Sequence, residues 1–465
     1  MKKKLPMRTL LVAGLGGVLA LGVLAIVTVT GWEYSNSNHF CSTACHEVHP
    51  EEPFAHEQSH HAQVDCVECH IGRISTLEAV VKKSGHVVHA WGYFVGYERP
   101  LYSASFSGSA RSCEGCHTAE PHRHNIIKAH KRFASDRNNT EKKLTLTMRM
   151  HAREFGDEDR RDIDWHASGA VRFISDDPQD QQIRWVEVAQ PDGTKQIYNN
   201  VTAPLADAEI DAADIRTMDC ADCHNRAGHP FPNPEEELDE ALANGRLSTD
   251  LPYVKARLMA LLEAEYASED EARTLVKKAW DDYAAEFPEL KEQEPEAWNA
   301  ARAFTEERQE FMTNLMVRSR FVDAEDVSWS SFPDQNGHKQ DPGCFRCHGG
   351  RLQTVEGTPI TVNCTNCHSV PLVTKRNRVP SYFLSLIDMP KPNNHTDPAF
   401  ISKHFDLIDE QCAACHESTN FGMNDRSYCS NSGCHGEVWE YLDLDALRTA
   451  AAVIKAAQPA TSGQE

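Results

Sequence analysis

A chain of 465 residues with 47 Lys and Arg against 69 Asp and Glu carries a formal net charge of −22. That balance argues against the clustered basic surface needed for nucleic-acid binding, and it suits solubility and the steering of basic redox partners, a merely solvated surface being the alternative. Aromatic residues make up 8% and the mean hydropathy is −0.53, which is lean for a large self-sufficient apolar core.

In chain order, a basic segment over 1–9 holds Lys2, Lys3, Lys4 and Arg8, and an uncharged apolar run follows over 10–30. A run of that length crosses the hydrocarbon core of a bilayer. It is longer than the usual apolar core of a signal peptide, and no convincing small-x-small cleavage site follows it. The basic flank predicts that Met1 stays in the cytoplasm and that the rest of the chain lies outside, with Trp32 and Tyr34 at the outer interface. We therefore predict an uncleaved, single-pass inner-membrane anchor over 10–31, a cleaved signal being the alternative.

The next stretch, 40–72, reads FCSTACHEVHPEEPFAHEQSHHAQVDCVECHIG. Cys66, Cys69 and His70 form CxxCH, the motif in which two thiols add to the vinyl groups of haem and the adjacent imidazole ligates the iron. Cys41, Cys45 and His46 form the same unit with one more spacer residue. The unit recurs at Cys113, Cys116 and His117; at Cys220, Cys223 and His224; at Cys344, Cys347 and His348; at Cys364, Cys367 and His368; and at Cys412, Cys415 and His416. With two more spacer residues it recurs at Cys429, Cys434 and His435. All 16 cysteines are thereby used. A disulfide framework does not need a histidine after every second thiol. Zinc knuckles explain the cysteine pairs but not the adjacent histidines. The motifs predict eight covalently bound haem c groups, whose flat apolar faces would themselves form the core.

Segments 32–235 and 327–440 hold four motifs each. The predicted fold is mainly α with extensive coil: a multihaem cytochrome c wrapped around a chain of haems, with one N-terminal transmembrane helix and a small β-hairpin elaboration. That elaboration falls in the cysteine-free span 118–219, where AVRFIS, QIRWVEVAQ and TKQIYNN read as short strands and Pro191, Asp192 and Gly193 supply a turn. The segment 236–326 has neither Cys nor His and reads as acidic helices. Ser268 with Glu271 resembles a capping box, and Leu275, Ala279 and Tyr283 recur on one face, as do Phe304, Phe311 and Leu315. We read this segment as a packing spacer, with a docking surface as the rival. The tail, 441–465, is predicted to be a helix followed by a disordered end.

Each haem iron takes two axial ligands. Sixteen of the 24 histidines remain once the proximal ones are assigned, enough for bis-histidine ligation throughout, which leaves no open iron and favours electron transfer over substrate activation. Position relative to the motifs selects His61, His130, His151, His166, His229, His338, His395 and His404 as distal candidates, with His60 a close rival to His61. The other spare histidines are His39, His49, His56, His86, His89, His122 and His124.

The anchor, the FCSTACH start, SHHAQVDCVECHIG, the run Lys82, Lys83, Ser84, Gly85, and MDCADCHNRAGHPFP together resemble the NapC/NirT family of membrane-anchored quinol-oxidising cytochromes over roughly residues 8–235. The strings GCFRCHGG and YCSNSGCHG resemble larger multihaem cytochromes of the same lineage, found in metal-reducing bacteria. The resemblance implies that electrons from the menaquinol pool pass to periplasmic cytochromes or reductases in anaerobic respiration. It implies that His229 ligates a neighbouring haem, and that the quinol site lies near Lys82 or Lys83, with His86 and His89 in the same region. Where members of the family carry a methionine ligand at the first haem, this chain has Val48 followed by His49, so His46 and His49 both stand as ligands there. A surface role for the two lysines is the plain alternative. A terminal reductase of nitrite, hydroxylamine or a sulfur oxyanion is the competing function, and a wire without quinol chemistry is a third; no CxxCK replaces a CxxCH, which disfavours the reductase. The oligomeric state is left open.

Overall fold

A computed structural model describes residues 7–45, 50–95, 108–117, 125–150, 162–293, 327–361, 364–368, 372–374 and 440–443, with parts of 295–317 and 445–453. The two C-terminal motifs, at Cys412, Cys415 and His416 and at Cys429, Cys434 and His435, lie outside the described residues, as do His46, His49, His122, His124, His151, His395, His404 and Phe304. The chain forms two compact units, Met1–Cys116 and His117–Glu465.

In the first unit the predicted anchor is a single helix, Met7–Asn36, of which Gly14–Asn36 is long and apolar enough to cross a membrane and is not buried within the protein. Leu15, Leu19 and Ile26 are more than 60% exposed, a surface suited to lipid. Thr28 and Thr30 turn their hydroxyls back to the carbonyls of Leu24 and Ile26, each at 2.8 Å, so neither hydroxyl faces hydrocarbon unsatisfied. The helix runs five residues beyond the predicted end at 31 because polar side chains take up its last carbonyls. Ser35 Oγ and Asn36 Nδ2 donate to Trp32 O at 2.8 and 2.9 Å, and Ser37 Oγ donates to Tyr34 O at 2.7 Å. A second long helix, Thr76–Val95, starts with a reciprocal cap in which Glu78 accepts from the Ser75 backbone N–H while Ser75 Oγ accepts from that of Glu78. Among the described residues of this unit, the buried apolar side chains are Ala55, Ile71 and Ala79.

The second unit contains two antiparallel sheets. Strands β3 (Val171–Ser175), β4 (Ile183–Ala189) and β5 (Lys195–Asn200) match the three predicted strands. The predicted turn joins β4 to β5, with Gly193 at φ 83° and Asp192 Oδ1 accepting from the Thr194 N–H at 2.9 Å. Two-residue strands extend this sheet at both edges, β6 (Arg216–Thr217) beside β3 and β7 (Leu352–Gln353) beside β5. The sheet therefore joins the long span between the third and fourth motifs to residues just past the fifth. The hairpin of β1 (Ile126–Phe133) and β2 (Glu141–Met148) was not predicted. The first strand, IIKAHKRF, lacks a clean period-two apolar face, whereas the second, EKKLTLTM, carries one in Leu144, Leu146 and Met148 that was missed; the short strand β8 (Leu372–Thr374) pairs with β2.

The segment free of Cys and His forms the predicted helices, including Pro234–Ala243, Val254–Leu262 and Glu269–Glu286. They close on Leu238, Leu242, Leu261, Val276, Leu315 and Met316, with Phe133 of β1 in the same cluster. Each fully buried leucine here contributes about 1.5–3 kcal/mol. Ser268 caps its helix by accepting from Glu271 N at 3.2 Å, while Glu271 reaches back to Ala267 N at 2.8 Å. Lys255, 1% exposed, donates to Asp239 Oδ1 at 2.5 Å and to Glu235 Oε1 at 3.1 Å, and Asp239 Oδ1 also accepts from the Phe133 N–H at 3.0 Å.

Candidate haem-binding sites

Residues three and four apart share one face of a helical turn, so a CxxCH segment can present both thiols and the imidazole together only if it is helical. The described CxxCH motifs are. Cys66–His70 and Cys364–Cys367 are helical turns. Cys113–Gly115 and Cys220–Asp222 are 3-10 turns, and His224 N donates to Cys220 O at 2.8 Å. Cys344 caps the turn Phe345–His348, with His348 N donating to Cys344 O at 2.9 Å. The irregular first motif has its own solution: Cys41–Cys45 is a π-helical turn, whose wider i→i+5 spacing accommodates the extra residue.

Two pairs of imidazoles lie close together in the second unit. His166 and His348 have ring centroids 5.9 Å apart and planes at 75°. His338 and His368 are 6.1 Å apart with planes at 24°. Two imidazoles that share one metal ion through bonds of about 2.0–2.1 Å place their centroids about 6 Å apart. Backbone carbonyls fix the tautomers of the first pair: Thr361 O lies 2.6 Å from His348 Nδ1 and Ile163 O lies 3.0 Å from His166 Nδ1. A carbonyl only accepts, so both Nδ1 atoms carry the proton and both Nε2 atoms hold a lone pair able to ligate a metal. Burial, aided by the facing imidazole, lowers His348 and His338 to about 4, which keeps both rings in the neutral form that binds metal. The donor set suits haem c.

Successive motifs are tied together. In the first unit Cys66 N donates to Asn38 Oδ1 at 2.8 Å, and a hydrogen bond between the free Cys66 and Cys41 thiols raises Cys66 and lowers Cys41. Arg73 links the second motif to the third: it donates to Gly115 O at 2.8 Å and to Cys116 Sγ at 3.4 Å, and its own backbone N–H donates to Arg111 O at 2.8 Å. In the second unit Arg346, inside the fifth motif, donates to Asp222 O of the fourth at 2.7 Å and to Asp180 O at 3.0 Å. Burial raises the Cys223 and Cys347 thiols to about 12 and about 11, so both stay protonated before attachment.

The quinol-site candidates separate. Lys83 Nζ donates to Ser35 O at 2.7 Å and to Ser35 Oγ at 3.1 Å, and it lies 4.9 Å from the centre of the Trp32 ring. Its ammonium thus sits at the C-terminal end of the anchor helix, where burial lowers its pKa and Cys41 partly opposes that shift. Lys82 points elsewhere, to Ile71 O at 3.5 Å, after the second motif. His86 and His89 lie on the same helix, Thr76–Val95.

Of the remaining distal candidates, His61 lies just before the second motif, His130 on exposed strand β1, and His229 in the loop after the fourth motif. The arginines that tie motifs together, Arg73 and Arg346, were missed; Arg346 sits inside CFRCH, but nothing in a lone arginine reveals its partner. Asn38, two residues before FCSTACH, was also missed.

Attachment turns joined in series, with imidazoles paired at the spacing of one iron, define a membrane-type multihaem c-type cytochrome, an electron-transfer protein. No family model matches the chain, and no solved structure does, so the likeness to the NapC/NirT family rests on its motifs. The chain is similar to the cytochrome c-type protein ImcH of Geobacter sulfurreducens, with 31% identity over 360 residues that make up 77% of this chain and 69% of the relative. It belongs to the family of that cytochrome c-type protein.

Proposed function

We propose that this protein is an octahaem c-type cytochrome, anchored by one helix in the inner membrane with its haem-bearing part in the periplasm. On this reading it oxidises menaquinol and delivers electrons to periplasmic cytochromes or reductases in anaerobic respiration, with the macrocycles supplying core to the first unit. The observation that carries the reading is Lys83, whose ammonium lies at the end of the anchor helix beside the first motif. When bound, the haem iron supplies reversible one-electron chemistry.

A quinol gives up two electrons and two protons. A partly buried cation favours the deprotonated quinol, and on this reading Lys83, bonded at the end of the apolar helix, would stand where a lipid-confined quinol meets the protein. A neutral imidazole at His86 or His89 serves as the proton acceptor. Charge-assisted hydrogen bonds contribute about 1.5–3 kcal/mol, so Lys83→Leu should slow haem reduction by a menaquinol analogue about 10- to 100-fold and leave reduction by dithionite unchanged. Lys83→Arg, which still caps the helix end, should retain most of the rate, and Lys82→Leu should matter little. Equal quinol rates in Lys83→Leu and the parent would remove Lys83 from the mechanism. A protein whose haems dithionite reduces but no quinol does would be a wire instead. For stoichiometry, intact-mass measurement should show eight haem additions; six, with the Cys41/Cys45 and Cys429/Cys434 motifs empty, would refute the two irregular sites.

A further inference from the structure

We propose that His166 and His348 are the two axial ligands of the haem attached at Cys344 and Cys347, with near-perpendicular imidazole planes, and that His338 and His368 are those of the haem attached at Cys364 and Cys367, with near-parallel planes. The first argument is distance: separations of 5.9 and 6.1 Å match two imidazoles on one ion at bonds of about 2 Å. The second is chemistry: each pair joins one histidine that follows a cysteine pair to one that does not.

The third argument is that the surroundings fix each ring. His166 sits on the turn Asp164–Ser168, whose start is held by Asp162 Oδ1 accepting from Trp165 N at 2.9 Å. Its Nδ1–H, like that of His348, is held by a backbone carbonyl, the usual device for aiming Nε2 at a metal. His338 stacks on Phe345 of the fifth motif, centroids 4.4 Å apart and planes at 9°. The turn that brings them together needs glycine at 343, where φ is 45° and a Cβ would collide with the Gly337 carbonyl. Cys344 N then donates to Gly337 O at 2.7 Å. His368 is held from the other side, bridged to Met148 of β2, while Arg149 N donates to Cys367 O at 2.8 Å. The span before the fourth motif thus supplies a ligand to the fifth haem and backbone support to the sixth.

The plane angles give a signature independent of turnover. Near-perpendicular imidazoles leave the iron dπ orbitals nearly degenerate and produce a strongly anisotropic low-spin EPR signal. Near-parallel imidazoles split those orbitals and produce a rhombic one. The oxidised, fully loaded protein should show both. His166→Ala should remove one haem's worth of the anisotropic signal, and His338→Ala one haem's worth of the rhombic signal. Each should create one high-spin haem that added imidazole returns to low spin, with the haem count by mass unchanged because the thioethers remain. His166→Met and His338→Met, which keep a ligand and most of the volume, should replace the same signals with those of histidine–methionine haems. Low-spin spectra unaltered in either alanine variant at full haem content would overturn that pair, as would a methionine variant that retains the parental signals. A parental spectrum without any strongly anisotropic signal would overturn the perpendicular assignment. The assignment rests on covalent haem attachment and not on quinol chemistry: a failed quinol assay leaves these spectra standing, whereas missing haem in the mass spectrum would defeat both.

Discussion

Loss of the first haem, through Cys41→Ala with Cys45→Ala, is expected to abolish reduction of the remaining haems by a menaquinol analogue while dithionite still reduces them. A quinol is confined to the bilayer and its interface, and on the proposed reading the length of the apolar helix puts Asn36 near that boundary. Cys41 follows within a few residues on the π-helical turn, and the Lys83 ammonium, bonded to Ser35, feels the charge of Cys41. The second motif is the nearest rival for the entry point, because Cys66 N is hydrogen-bonded to Asn38 and its thiol to that of Cys41. Cys66→Ala with Cys69→Ala separates the two. If entry is at the first haem, quinol should still reduce one haem in that variant and no more, because the link through Arg73 to the third motif starts at the second. Full quinol reduction without the first haem would sink the entry-point claim. Dithionite reduction separates that outcome from a simple loss of folded protein.

The attachment chemistry was legible because it is local: a thiol pair with its histidine is a single turn of helix, and spacing alone announces it. The anchor and strands β3 to β5 were legible for the same reason, each carrying its own pattern of apolar run or alternation. What stayed hidden is long-range. His166 and His348 are 182 positions apart in numbering, and nothing near either one names the other. Phe345 reads as a motif spacer until His338 is found stacked on it. The hairpin β1–β2 was missed because Lys128, Lys131 and Arg132 break the apolar pattern of β1, and the alternation of Leu144, Leu146 and Met148 in β2 was passed over; Phe133 ties the hairpin to the helical core and β8 pairs with β2. Lys82 and Lys83 were indistinguishable as adjacent letters. Helix geometry turns neighbours roughly 100° apart, which sends one to Ser35 and the other to Ile71.

Replacing Asp239 with alanine should loosen the haem-free helices by about 3–5 kcal/mol, the cost of leaving a buried charge without its partner. Lys255 is 1% exposed and Asp239 3% exposed. Burial pushes the Asp239 carboxyl up, and Lys255 opposes that shift. One carboxylate oxygen serves two donors, Lys255 Nζ and the Phe133 backbone N–H. Its removal would leave the ammonium with Glu235 alone and β1 without the acceptor that fixes its end. The effect belongs to one packed cluster, so hydrogen exchange over Pro234–Ala243 and Val254–Leu262 is the suitable measurement. Exchange there should accelerate by about 100-fold or more, since each 1.36 kcal/mol is tenfold. Asp239→Asn, which keeps an acceptor for the Phe133 N–H but not the charge, should fall between parent and Asp239→Ala. Parental protection in Asp239→Ala would show that the ammonium reaches water or another acid without cost, and that the pair does not fasten the hairpin to the helices.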